Sequence, residues 1–200
     1  MSASNETLSR VLMVALGLCI VCSVVVSTAA VALKPQQEAN KARDLKRNIL
    51  MAGGIYDAEL SVEEQFERIQ SRVVDLDTGL FVDDVDPATF DQRRSAKDPA
   101  QSRALVSNED PAKIIRRENQ AVVYLVNNDN GGLDRIILPI RGYGLWSTLY
   151  GFVALESDAN TIIGLGFYEH GETPGLGGEV DNPSWKAKWA GKLAYKEGDV

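Results

Sequence analysis

Histidine occurs once in the 200 residues, at His170, and cysteine only twice, at Cys19 and Cys22. So few ligands exclude a disulfide framework, a zinc ribbon and a Cys-ligated iron–sulfur cluster, and they starve a Ser-His-Asp triad of candidates. Basic charge is also short, with 21 Lys plus Arg against 28 Asp plus Glu and a formal net charge of −7. Neutralising a phosphate backbone needs basic surface, so no nucleic-acid partner is expected. There is no Walker loop, no complete G-x-G-x-x-G fingerprint and no internal repeat. What is present is the composition of a folded protein. Hydrophobic residues are 44% and charged residues 24%, which excludes bulk disorder. The length suits one domain with an appendage.

Charge is wholly missing from residues 11–33, VLMVALGLCIVCSVVVSTAAVAL, bracketed by Arg10 and Lys34. At about 1.5 Å per residue this run spans roughly 35 Å, enough for a hydrocarbon core of about 30 Å. A cleaved signal peptide ending near Ala30-Val31-Ala32 is the rival reading, but its usual apolar core is shorter, ~7–15 residues. An uncleaved anchor is therefore expected. Basic residues number one on its N-terminal side (Arg10) and five on the other (Lys34, Lys41, Arg43, Lys46, Arg47), and counting them puts the following domain in the cytoplasm. Cys19 and Cys22 share a helix face; two small apolar residues at a helix–helix contact beside Gly17, Ser23 and Ser27 explain them better than a redox thiol pair does.

Beyond the anchor, Ala39, Ala42, Leu45 and Ile49 predict a helical continuation after a kink at Pro35, ended by Gly53-Gly54. Ser61-x-x-Glu64 is a capping box, and Val62, Phe66, Ile69 and Val73 predict one helix behind it. A small hairpin is expected around Asp77-Thr78-Gly79, and a short helix at Asp86-Pro87. Residues 93–112 read as a polar, irregular, mobile surface segment. Four strands follow, at 120–127, 133–140, 147–156 and 161–170, with short turns that make an antiparallel meander. Asn182-Pro183 then caps a helix carrying Trp185 and Trp189. Helices before and after a run of strands give an α+β class.

Two irregular stretches are candidates for chemistry. RGYGLWST (141–148) places an exposed Leu145-Trp146 pair between glycines, suited to stacking on a flat ring. HGETPGLGGE (170–179) forms a shaped glycine-rich wall carrying Leu176, suited to a planar amphipathic cofactor. Glu169, Glu172 and Glu179 repel an anion, so a phosphate there would need Arg141, Lys186 or Lys192. His170 reads as a hydrogen-bonded surface residue or a proton carrier, and Glu172 as a ring-edge partner or a loop brace.

RGYGLWSTLYGF (141–152), GETPGLGGEV (171–180) and the set Trp185, Trp189, Gly191 and Lys192 closely resemble the C subunit of the Na⁺-translocating NADH:quinone oxidoreductases, a covalent-FMN domain family. The G subunit of Rnf-type electron-transport complexes is more distantly similar. The resemblance implies a single-pass subunit of the bacterial inner membrane, with its domain in the periplasm. It implies FMN linked through a threonine of an S-G-A-T motif, electrons arriving from a membrane iron centre and leaving to a second flavin and ubiquinone, and coupled outward Na⁺ transport. Partners are then the other subunits of the complex and the membrane. The isolated chain would have no activity of its own. None of Thr7, Thr28, Thr78, Thr89, Thr148, Thr161 and Thr173 follows Gly-Ala, so the attachment motif is absent and the sequence is expected to stop before it. The binding wall carried over is Leu145, Trp146 and Thr148 with Glu172, Thr173, Leu176 and Gly177. No catalytic side chain and no metal ligand is expected. The organisation read this way is an N-terminus (1–10), a transmembrane helix (11–33), a helical and irregular part (34–118) and a sheet-plus-helix FMN-binding part (119–200). A membrane-anchored extracytoplasmic sensing or interaction domain is the alternative from another class.

Overall fold

The computed structural model describes residues 8–196 and divides into two compact units, Met1–Arg43 and Asp44–Val200. Helix α1, Leu8–Ala52, runs through Pro35 as one element. A proline removes one backbone hydrogen bond, and here the helix continues beyond it. Its N-terminal part is long and apolar enough to cross a membrane, and its side chains there are exposed. Gly53-Gly54 stops it as expected. The Ile55 amide reaches the Leu50 carbonyl (3.0 Å) and the Gly54 amide the Met51 carbonyl (3.1 Å), with Gly54 at φ +66°. This is the Schellman pattern, and the left-handed position suits glycine.

The capping box forms at Ser61 and Glu64, but helix α2, Val62–Phe66, is only five residues long. Ile69 and Val73 lie instead on strand β1, Ile69–Asp75. Residues four apart share a face in a strand as well as in a helix, so their spacing could not separate the two. β1 folds back on β2, Phe81–Val82, through the expected turn at 77–79. Asp86 caps only a turn, accepting the Ala88 amide at 2.9 Å. The helix comes later, as α3, Gln92–Lys97, capped by Asp91. The segment expected to be irregular is thus structured. It holds most of α3, then strand β3, Ser102–Ala104, which pairs with β4, Arg116–Glu118, and it buries Ser95, Ala96 and Ser102.

The meander is present as β5, Gln120–Asn127, β6, Leu133–Tyr143, β7, Thr148–Glu156, and β8, Ile162–Glu169. The whole sheet is antiparallel in the order β2-β1-β5-β6-β7-β8. On one face the end of α1 (Ile49, Leu50, Ala52) and Val62 pack against Ile69, Val126, Ile137, Phe152 and Ala154. Burying each of the Ile, Leu, Val and Phe side chains stabilises by about 1.5–3 kcal/mol. After β8 come a 3₁₀ turn, Gly177–Asp181, and a single-turn helix α4, Pro183–Lys186, capped by Asn182. The expected helix is cut short, so Trp189 lies beyond it, yet the Trp185 and Trp189 rings still meet at 5.6 Å. The β6–β7 loop and the chain leaving β8 emerge at one end of the sheet, because both flank the start of β7.

Candidate functional site

At that end the two glycine-bent loops meet around one carboxylate. Glu172 is buried, and its Oε1 accepts the backbone N–H of Trp146 (3.0 Å) and Ser147 (3.1 Å), while its Oε2 accepts that of Leu145 (3.2 Å). The Ser147 hydroxyl also donates to Oε1 at 3.3 Å and accepts the Gly171 amide at 2.7 Å. The Trp146 amide is the largest influence holding the Glu172 pKa below its ordinary value; burial opposes it, and the Ser147 and Leu145 amides add to it. Glu172 is therefore a carboxylate that braces the opposite loop.

Two glycines leave room for that brace. A Cβ on Gly144 would lie 2.5 Å from Glu172 Oε1, and one on Gly177 2.6 Å from Oε2. His170 fastens the same loop from behind. Its Nδ1 accepts the Glu172 amide at 3.2 Å, which leaves Nε2 to donate to Asp181 at 2.8 Å. Lys186 lies 3.6 Å from the same Asp181.

The braced loops carry large apolar side chains outward: Leu145 is 73% exposed, and Trp146 and Leu176 are each 71% exposed. Isolated exposed apolar residues are ordinary, but these three sit on two adjoining loops that are hydrogen-bonded to each other. Thr148 opens β7 beside them. The Thr173 carbonyl closes the second loop by accepting the Leu176 (3.1 Å) and Gly178 (3.0 Å) amides. The loops thus unite Leu145, Trp146, Thr148, Glu172, Thr173, Leu176 and Gly177 in one region.

Arg141 does not serve this region. It donates to Glu118 at 2.6 Å and to the Arg116 carbonyl at 2.7 Å, a pairing set by the β4–β6 contact. Lys192 sits over the Trp189 ring. Among those three basic residues only Lys186 stands close to the second loop. Two contributors have no distinct signal in the sequence. Ser147 lies inside a quoted motif but acts only because the chain returns at Gly171. Arg93 comes from α3, stacks 3.7 Å from the Tyr150 ring centroid and pairs with Glu169 at the root of the second loop. Among the described residues no group of His, Cys, Asp and Glu could hold a metal ion.

Outward apolar walls on backbone loops held from below suit a planar amphipathic ring, so the residues present fit a flavin. Comparison with known proteins agrees. Residues 144–200 match the FMN-binding domain family, and that segment begins at the first loop and contains the second. FMN is the cofactor for which this domain type is built. The C subunit of the Na⁺-translocating NADH-quinone reductase of Pseudomonas aeruginosa is 55% identical over 99% of this chain and 77% of the relative. Its counterpart in Vibrio vulnificus is 52% identical over 98% and 76%. The crystal structure of Shewanella oneidensis NqrC superposes with a TM-score of 0.72 at 39% identity, covering 79% of this chain and 73% of that one. The chain belongs to the family formed by the C subunits of the Na⁺-translocating NADH-quinone reductases.

Proposed function

We propose that the chain is the FMN-carrying electron-transfer subunit of a Na⁺-pumping NADH:ubiquinone reductase. In this reading it takes electrons from a membrane iron centre and passes them to the next flavin. Its partners are the other subunits of that complex. Its domain stands in the periplasm beside a bacterial inner membrane, anchored by the apolar part of α1. Basic-residue counting points the other way, but long domains translocate largely regardless of flanking charge.

The observation that carries this reading is the cross-brace from Glu172 to the amides of Leu145, Trp146 and Ser147. Leu145, Trp146 and Leu176 would flank the ring, and Thr148, Thr173 and Gly177 would shape its surroundings. Bound FMN supplies reversible electron transfer that no side chain here provides. The protein's own work is positional: fixed loops need no rearrangement when an electron moves, and apolar walls exclude water from the ring.

The test uses the assembled complex. Trp146→Ala and Leu176→Ala should alter the fluorescence and visible spectrum of this subunit's flavin and slow NADH-driven quinone reduction. Unchanged flavin spectra in the double variant would refute the placement. Protease access to the domain in spheroplasts checks the periplasmic assignment; protection there with digestion in inverted vesicles would reverse it.

A further inference from the structure

Strand β6 lies inside the sheet and carries Pro139. Proline has no N–H for a ladder, and interior strands normally exclude it. The sheet accommodates it by parting. β5 and β6 pair from Asn127↔Leu133 to Tyr124↔Ile137 and no further, while β6 stays paired with β7 out to Tyr143↔Thr148. Side chains replace the missing ladder. Gln92 Oε1 accepts the Val122 amide at 3.2 Å, and Gln92 Nε2 donates to the buried Glu118 at 2.6 Å. Arg141 holds the other oxygen of Glu118.

A cavity of about 430 Å³ lies at this parting. That is the size of small-molecule sites, roughly 300–1,000 Å³. Tyr124, Tyr150, Phe152 and Tyr168 line it, with Pro139 and Arg93. The Phe152 and Tyr168 rings stack with centroids 5.1 Å apart. None of the three lining phenols, Tyr124, Tyr150 and Tyr168, has an acceptor among the described residues. The Tyr168 hydroxyl accepts from Arg93 at 3.1 Å, which leaves its own proton unused. The Tyr124 hydroxyl has no hydrogen-bond partner there. Burial, with Tyr168 nearby, pushes the Tyr124 pKa up to about 12, so it remains a donor at neutral pH. Arg93 is balanced by Glu169, so the walls do not call for an anion. Both tyrosines are only half-buried, so their hydroxyls are free to donate to an oxygen of a ligand in the cavity.

We propose that this cavity is a second binding site, apart from the loops braced by Glu172, for a flat, uncharged aromatic carbonyl compound of one or two rings. The ring lies against Phe152 and Tyr168, and the carbonyl oxygen accepts from Tyr124 and Tyr168. This inference does not depend on the flavin reading.

The test uses the full chain in detergent with ¹³C-labelled tyrosine rings, so that binding is read at Tyr124 and Tyr168 and not from partition into micelles. Acetophenone is titrated against ethylbenzene, which has the same shape without the oxygen. Saturable shifts at both tyrosines are expected, with acetophenone at least tenfold tighter. Tyr124→Phe and Tyr168→Phe should each weaken it roughly three- to tenfold, while Tyr195→Phe leaves it unchanged. Equal affinity for the two probes, or no saturable shift, would overturn the proposal. So would unchanged affinity in both phenylalanine variants, which would mean that water satisfies the hydroxyls. If a variant fails to fold, the two-probe comparison on the unaltered chain still decides.

Discussion

Arg135 Nη1 donates a 2.6 Å hydrogen bond to the carbonyl oxygen of Gly53. It joins β6 to the residue that follows the last turn of α1, where the carbonyls have no partner within the helix. Gly164 lets the same helix end approach β8, because a Cβ there would lie 2.6 Å from the Ala52 carbonyl oxygen. The end of α1 is therefore seated on the same sheet that carries the candidate site.

Arg135→Leu should destabilise the domain by about 1–3 kcal/mol, because the Gly53 carbonyl loses its partner. For a domain of this size that is a fall in Tm of roughly 3–10 °C. Circular dichroism melting of the full chain measures it. An unchanged Tm would show that water replaces the guanidinium without loss.

Glu172→Gln should unfasten the first loop. An amide has one acceptor oxygen and would turn an NH₂ group toward backbone N–H donors. Hydrogen exchange at the amides of 145–147 should accelerate at least tenfold, while β5 is unaffected. In the assembled complex the midpoint of this subunit's flavin should rise, since a negative wall disfavours the reduced anion. Unchanged exchange and an unchanged midpoint together would defeat the brace.

The same carboxylate sets a pH dependence. Its pKa is lower in the folded protein than in the unfolded chain, through the Trp146 amide first. The unfolded chain therefore binds the proton more tightly, and the brace contributes above the ordinary glutamate value of 4.5 and is lost as pH falls through the lower folded value. Protection of the 145–147 amides, taken relative to their intrinsic exchange rate at each pH, should be constant from neutral pH down to that region and fall below it. Loss of protection already near neutral pH would show that this carboxylate does not set the dependence.

Much of the fold is legible from short-range chemistry. The Ser61–Glu64 box, the meander and the two glycine loops each declare themselves within a few residues. The remainder is decided at longer range. Ile69 and Val73 fit either period, and β5, some fifty residues downstream, draws them into a strand. Polar residues from 93 onward read as a loose surface, because the partners of Arg93 and Ser102 lie far away in sequence. Glu172 fits two roles in the sequence, and only the fold shows three amides converging on it. Arg141 reads as a phosphate partner because its link to Glu118 crosses 23 positions.

Arg93 tests how firmly that polar segment is built. Its guanidinium stacks 3.7 Å from the Tyr150 ring centroid and makes two 2.9 Å bonds to Glu169, at the root of the second loop. Burial alone would ease off its proton, but the bonds to Glu169 and Tyr168 outweigh it and keep the group charged. Lysine keeps the charge yet loses the planar fork and the stacking, so Arg93→Lys is not a conservative change. It should cost about 1 kcal/mol, the size of an exposed cation–π contact plus a partly screened pair. High salt should shrink the difference between Arg93→Lys and Arg93→Met, because both then lack geometry and charge matters less. Amides of 95–97 should be protected from exchange in the unaltered chain and lose protection in both variants. Rapid exchange there in the unaltered chain would restore the reading of a mobile segment.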